Sequence, residues 1–304
     1  MQAIEALAEV RYTDATGLPD ALHGADALFV WDFLSSAVCE AWPHADRLRW
    51  IHIASAGVDR LLFPELAHSS VVVTNSRGVF DRPIAEYVLG LILGIAKDLA
   101  TTLALQREGT WRHRETRRID TQDVLVVGTG SIGRATGRLL MAAGLTVTAV
   151  GRTARQHDPD FSAVHSAEEL ARLLPTADYV VVAAPLTEMT RGMFDAQAFA
   201  RMQRSAWLIN VGRGAIVDEA DLLSALGAGE IGGAALDVFD EEPLPADHPL
   251  WTLPNVIVSP HMSGDFVGWL DALVALFGVN FARWLADERL LNEVDKRAGF
   301  VPTG

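Results

Sequence analysis

The stretch Val124-Leu-Val-Val-Gly128-Thr-Gly130-Ser-Ile-Gly133 decides how this chain is read. An apolar run short enough for a buried strand leads directly into a G-x-G-x-x-G spacing. Each glycine has its own reason to be there. Gly128 permits a tight turn, Gly130 lets backbone approach a pyrophosphate, and Gly133 lets a helix pack against the strand. A helix predicted over Ile132–Ala143 follows, and its free N–H groups and dipole favour phosphate at its start. A second strand begins at Thr146. A bare glycine pattern is a weak signal, because glycine-rich turns are common. The strand–turn–helix–strand context makes it a dinucleotide site lined by Gly128, Thr129, Gly130, Ser131, Ile132 and Gly133.

The end of the second strand selects the cofactor. NAD sites place Asp or Glu about 20 residues on, to accept from the ribose 2′-hydroxyl. Here the chain reads Val150-Gly151-Arg152-Thr153-Ala154-Arg155, with no carboxylate. Two guanidinium groups and a hydroxyl stand where a 2′-phosphate would lie, and arginine suits phosphate through its fork of donors. Gly151, Arg152, Thr153 and Arg155 are therefore assigned to the cofactor. NADP(H) is favoured, with NAD(H) the alternative. The bland reading is a pair of solvated surface arginines.

Outward from this unit the pattern repeats. Strands are predicted at Ala27–Val30, Trp50–Ile53 and Val71–Thr74, and after the glycine turn at Tyr179–Ala183, Leu208–Val211, Ala234–Leu236 and Val256–Ser259. Helical stretches lie between them, including one long apolar helix from Ile84 to about Leu105, one over Glu219–Gly227 and a last one over Val267–Ala286. Alternating strands and helices predict parallel sheets covered by helices. The 304 residues suggest two domains. The fold class expected is α/β, two Rossmann-like domains with parallel sheets. The cofactor domain, residues 97–271, is inserted into a substrate domain made of 1–96 and 272–304. Met1–Leu7 reads as helical, so the strand that should open the first unit is missing, or the chain begins downstream of its natural start.

Composition excludes several functions. The formal charge of −14 argues against nucleic acid, because acidic surfaces repel phosphates. Cys39 is the single cysteine, which rules out an internal disulfide and a cysteine-built metal site and suits a reducing cytoplasm. Met1–Val10 carries Glu5 and Glu9 and no basic segment, unlike a secretory leader. The longest apolar run, Val88–Ala96, is about half a membrane span. Neither a membrane nor a metal is expected.

Further blocks carry a family resemblance. They are His52-Ile-Ala-Ser-Ala-Gly-Val-Asp59, Ile84-Ala-Glu-Tyr-Val-Leu89, Ala184-Pro-Leu-Thr187 with Thr190, Leu208-Ile-Asn-Val-Gly-Arg-Gly214, Ala235-Leu-Asp-Val-Phe239 running to Glu242-Pro243, and Ser259-Pro-His261. Taken in order with the glycine turn, they make the sequence resemble the D-isomer-specific 2-hydroxyacid dehydrogenases, particularly their glyoxylate and hydroxypyruvate reductases. The resemblance implies a catalytic set of Arg213, which binds substrate, Glu242, which supports the histidine, and His261, the acid/base. It implies a loop at Ser55, Ala56 and Gly57 that grips the substrate carboxylate. It also places Pro185, Thr190, Val211 and Asp237 at the cofactor, and it implies a homodimer.

Elementary chemistry agrees with that set. Hydride transfer to a ketone builds negative charge on oxygen, so a proton donor must stand there, and histidine titrates near neutrality. A carboxylate beside it favours the imidazolium. Arginine pairs with a carboxylate and polarises the neighbouring carbonyl. Singly, each residue reads as an ordinary loop charge; the combination at this spacing carries the assignment. The expected reaction exchanges a hydride between NADP(H) and a small 2-oxo acid such as glyoxylate or hydroxypyruvate. Formate enzymes of similar type carry glutamine before the proline, and Glu242 argues against them. The alternative from another class is a dinucleotide-sensing, corepressor-like binding protein of the same fold. One departure is the basic stretch Thr110–Arg118, whose Trp111 and arginines suggest a subunit contact.

Overall fold

Short buried runs rich in Val, Ile and Ala build two sheets, and every pairing among the ten strands is parallel. The computed structural model describes residues 1–302. The chain divides into two units, one of Met1–Phe80 with the chain from Phe266 onward, the other Asp81–Asp265. The fold is α/β, and the second unit interrupts the first in sequence.

The smaller unit carries β1 (Ala27–Val30), β2 (Trp50–Ile53) and β3 (Val72–Asn75) in the order β1-β2-β3. All four residues of β2 are buried, as expected for a central strand covered on both faces. Ile51 and Ile53 face Leu22, Leu66 and Val73. Trp50 faces Phe277 and Phe281 on the Trp269–Leu285 helix, which returns to cover the other side. The helical start read at Met1–Leu7 is a single turn, Gln2–Glu5.

The larger unit holds β4 (Asp123–Val127), β5 (Thr146–Gly151), β6 (Ala163–Ser166), β7 (Tyr179–Val182), β8 (Trp207–Asn210), β9 (Gly233–Leu236) and β10 (Val256–Val258). Their order is β10-β9-β8-β7-β4-β5-β6. The chain starts at β4, winds outward through β5 and β6, then returns to β7 and winds the other way. The reversal leaves a crevice beyond the carboxyl ends of β4 and β7, where such sheets bind ligands.

Three features differ from the sequence expectation. β6 was not predicted; it is short, and only Val164 in it is fully buried, so it leaves little apolar signal. The long helix is two helices, Asp81–Ala96 and Leu99–Arg107, bent by 63° at a break where Asp98 takes φ +50. Arg114 holds that break, with Nε 2.7 Å from the Asp98 carboxylate and Nη2 2.7 Å from its carbonyl. The units part at Phe80/Asp81 and Asp265/Phe266 rather than at 96/97 and 271/272. The reason is that the Asp81–Ala96 helix packs along the Ser131–Ala142 helix of the larger unit.

Candidate active site

β4 runs into Gly128 at φ +118, a conformation open to glycine. Space demands glycine too, since a Cβ there would sit 2.6 Å from the Ala183 carbonyl carbon beyond β7. A Cβ on Gly133 would overlap the Gly128 carbonyl. Gly130 is different. A Cβ there meets nothing within 4 Å, so the ground above it is open. The Ser131–Ala142 helix starts at Gly130 without a side-chain cap, which leaves the N–H groups of its first turn for a ligand. Two glycines required by packing and one facing open space form a cradle that fits a pyrophosphate. Ser131 Oγ donates to Asp81 Oδ1 at 3.0 Å, and Ile132 is half-buried beside it. Thr129 packs where a Cβ on Gly151 would fall, 2.6 Å from its Oγ1.

Arg152 and Thr153 are exposed just past β5. Arg155 is committed elsewhere. Its backbone pairs with Val164, and its Nε lies 3.6 Å from Asp158 Oδ2. Asp158 is the first carboxylate after β5, and it faces inward rather than toward a ribose. Arg134, one turn into the helix, clasps it with Nη1 and Nη2 each 3.0 Å from one oxygen. Burial would raise the Asp158 carboxyl; the Arg134 hydrogen bonds, the Asp160 N–H and the arginine charges outweigh that and hold it below its usual value. Past β5 the chain thus exposes Arg152 and Thr153, while its first carboxylate, Asp158, is held by Arg134.

Two loops follow β7 and β8. Thr190 Oγ1 donates to the Pro185 carbonyl at 2.7 Å and accepts the Thr187 N–H at 2.8 Å, which folds the Ala184–Thr190 loop. Val211 is buried, with its N–H 3.1 Å from the Val182 carbonyl. Asn210, 1% exposed, accepts the Gly212 N–H at 3.0 Å and donates to the Arg213 carbonyl at 3.0 Å. That clamp turns Arg213 out of the strand, and its Nη1 is 2.8 Å from the Gly212 carbonyl. Gly214 must be glycine, since a Cβ there would strike the Phe239 carbonyl.

His261, Glu242 and Arg213 come together at the ends of β8, β9 and β10. His261 Nδ1 lies 2.7 Å from Glu242 Oε2, and the other Glu242 oxygen takes the Phe239 N–H at 2.9 Å. Burial pushes the Glu242 carboxyl up. The His261 hydrogen bond, the Phe239 N–H and the charges of His261 and Arg213 overcome it and hold Glu242 below its ordinary value. Arg213 is therefore close enough for its charge to act on the same carboxylate. His261 has φ +51, uncommon for a residue with a side chain and a mark of a backbone held by its surroundings.

Asp237 does much of that holding. Its carboxylate takes Ser259 Oγ at 2.6 Å, the Met262 N–H at 3.0 Å and the Ser263 N–H at 2.9 Å, while its carbonyl takes the His261 N–H at 2.8 Å. The residue read as a cofactor contact is 1% exposed, and both its oxygens bind the histidine loop. Sequence reasoning missed Asn210 and Ser259 in these roles. Single polar residues that bind backbone far along the chain leave no spacing pattern. Tyr87 and Asp265 were missed as well. Burial and the Asp237 charge raise both above their usual values, against a Ser259 hydrogen bond at Tyr87 and the His261 charge at Asp265.

Ser55, Ala56 and Gly57 belong to the smaller unit, in the loop after β2. Ser55 Oγ donates to the Gly57 carbonyl at 2.5 Å, and the Ser76 N–H donates to the Ser55 carbonyl at 2.8 Å. Asn75 Nδ2 donates to the Ala56 carbonyl at 2.5 Å.

The chain is similar to several known proteins. The sequence profile described as D-isomer specific 2-hydroxyacid dehydrogenase, NAD binding domain, matches residues 89–263, and that of the catalytic domain matches residues 1–157. Glyoxylate/hydroxypyruvate reductase B of Citrobacter koseri is 36% identical over 236 residues, 75% of this chain and 71% of that protein. A D-isomer specific 2-hydroxyacid dehydrogenase family protein from Aeromonas salmonicida is 31% identical, with a TM-score of 0.85 over 97% of this chain and 94% of that one. The NADPH-dependent glyoxylate/hydroxypyruvate reductase of Sinorhizobium meliloti, solved with NADP and sulfate, is 29% identical, with a TM-score of 0.84 over 98% and 95%.

Proposed function

Since the chain belongs to the D-isomer specific 2-hydroxyacid dehydrogenase family, we propose that it exchanges a hydride between NADP(H) and a small 2-oxo acid such as glyoxylate or hydroxypyruvate. The observation that carries this reading is the 2.7 Å contact between His261 and Glu242, with the Arg213 charge acting on the same carboxylate. The nicotinamide, when bound, supplies or takes the hydride. His261 delivers the proton to the carbonyl oxygen from Nε2, because Nδ1 is held by Glu242. Glu242 fixes the ring and stabilises it when charged. Arg213 pairs with the substrate carboxylate and draws electron density from the adjacent carbonyl. Within the smaller unit the backbone of Ser55–Gly57 offers donors suited to a carboxylate, and within the larger unit Asp237 keeps the His261 loop in place. A proton donor placed in this way contributes roughly 10²–10⁴ in rate.

The preference for NADP(H) rests on Arg152 and Thr153 at the end of β5, on the inward-facing Asp158, and on the NADP bound by the Sinorhizobium reductase. The pyrophosphate would lie over Gly130 and the first turn of the Ser131–Ala142 helix. Pro185, Thr190 and Val211 would wall the crevice. A cytoplasmic homodimer completes the reading, and Trp111, 99% exposed on the basic segment, is the side chain most in need of a partner's cover. The test is reduction of glyoxylate, hydroxypyruvate, pyruvate and bulkier 2-oxo acids, followed by absorbance with NADPH and with NADH. Oxidation of NADPH by the smaller acids is expected. If no 2-oxo acid is reduced with either cofactor, the reading fails.

A further inference from the structure

In the smaller unit the returning chain runs beside the end of β3. The Val294 N–H donates to the Val73 carbonyl at 2.8 Å, Thr74 and Glu293 form an antiparallel bridge, and the Asn75 N–H donates to the Asn292 carbonyl at 3.3 Å. Asn292 takes φ +58, a left-handed conformation that asparagine tolerates better than most residues. Its side-chain amide donates to two carbonyls, Asn75 at 3.2 Å and Arg77 at 2.8 Å. Asn75 is 2% exposed and in turn uses its own amide on Ala56. Its Nδ2 donates to the Ala56 carbonyl, and its Oδ1 accepts the Arg77 N–H at 3.2 Å.

We propose that Asn292 is a positioning residue for substrate binding, acting through Asn75 on the Ala56–Gly57 peptide. This rests on the reading of Ser55–Gly57 as the carboxylate grip. A trans peptide is planar, so its C=O and the following N–H point in opposite directions. Asn75 fixes the Ala56 carbonyl and thereby fixes the direction of the Gly57 N–H, one of the donors a substrate carboxylate needs. Ser55 Oγ occupies the Gly57 carbonyl from the other side. Asn292 holds the backbone on both sides of Ser76, at Asn75 and Arg77, and so sets where the Asn75 side chain starts. Without the Asn292 amide, two carbonyls lose their donor and the Asn75 arm is free to drift.

Asn292→Gly is the informative variant, because glycine keeps the left-handed backbone without strain and removes only the amide. Steady-state kinetics with NADPH and glyoxylate or hydroxypyruvate should show KM for the acid up about tenfold, the scale of one lost hydrogen bond. KM for NADPH and kcat should stay near the wild-type values. Asn75→Ser should act in the same direction, and the double variant should be no worse than the stronger single one, as expected for residues in one chain of contacts. A role confined to folding would lower the melting temperature without splitting the two KM values. An unchanged acid KM in an active Asn292→Gly enzyme, or equal rises for acid and cofactor, overturns this role alone. A wild-type enzyme that reduces no 2-oxo acid overturns the reaction itself and this role with it.

Discussion

His52 sits on β2 with no exposed surface, among Phe29, Trp50 and Phe277, whose rings lie 5.5, 6.2 and 5.6 Å from its own. Its ring nitrogens meet only hydroxyls, Thr74 Oγ1 at 2.7 Å and Ser76 Oγ at 3.3 Å. Burial therefore lowers it from 6.5 to about 4, and the fold holds it neutral. The sign follows from proton counting. Between pH 6.5 and about 4 the unfolded chain binds a proton that the folded chain refuses, so stability is full above 6.5 and is lost as pH falls toward 4. At about 1.4 kcal/mol per pH unit the loss reaches about 3 kcal/mol. Replacing the residue by His52→Asn keeps a polar partner for Thr74 and removes the titration. The assay is urea unfolding between pH 7.5 and 4, with amide hydrogen exchange at residues 50–53 as the local readout, because two units need not unfold together. The wild type should lose about 3 kcal/mol more than the variant over that range, since carboxylate effects common to both cancel. Parallel stability curves for the two proteins would mean that His52 takes up its proton equally in the folded and unfolded chain.

Arg152→Ala should raise KM for NADPH by about 10- to 100-fold, the scale of a charge-assisted phosphate contact, with little change for NADH. Arg155→Ala should do much less, because that guanidinium faces Asp158; a wild type that already prefers NADH would contradict both statements. Glu242, held below its ordinary value, stays ionised through the neutral range. Glu242→Gln should therefore cut kcat by about 10², because an amide orients the ring without the negative charge that supports an imidazolium. A kcat close to the wild-type value would deny the carboxylate its role.

Much of this was legible in the sequence because parallel strands buried on both faces read as plain apolar runs. Trp50–Ile53 and Ala27–Val30 were placed to the residue. β6 was lost because three of its four residues are only half-buried, which dilutes the apolar pattern. The glycines were legible for a physical reason: Gly128 and Gly133 stand where backbone meets backbone, and no other residue fits. The break at Asp98 was not legible, since no glycine or proline marks it and Arg114, which holds it, lies 16 residues on. The same limit hid the parts of the site that depend on distant contacts. Asp237 reads as a cofactor residue by position, yet its three carboxylate hydrogen bonds go to residues 22–26 positions further along the chain. Asn292 braces Asn75 from 217 positions away, which no local pattern reports.

The proposed reaction depends most on His261, oriented by Glu242, as the proton donor to a 2-oxo acid. The most direct test pairs two numbers for His261→Asn, kcat for glyoxylate or hydroxypyruvate reduction and Kd for NADPH by fluorescence titration. kcat should fall by about 10²–10⁴ while Kd stays close to the wild-type value. Turnover that survives the substitution, or a loss of NADPH binding as large as the loss of rate, would contradict it.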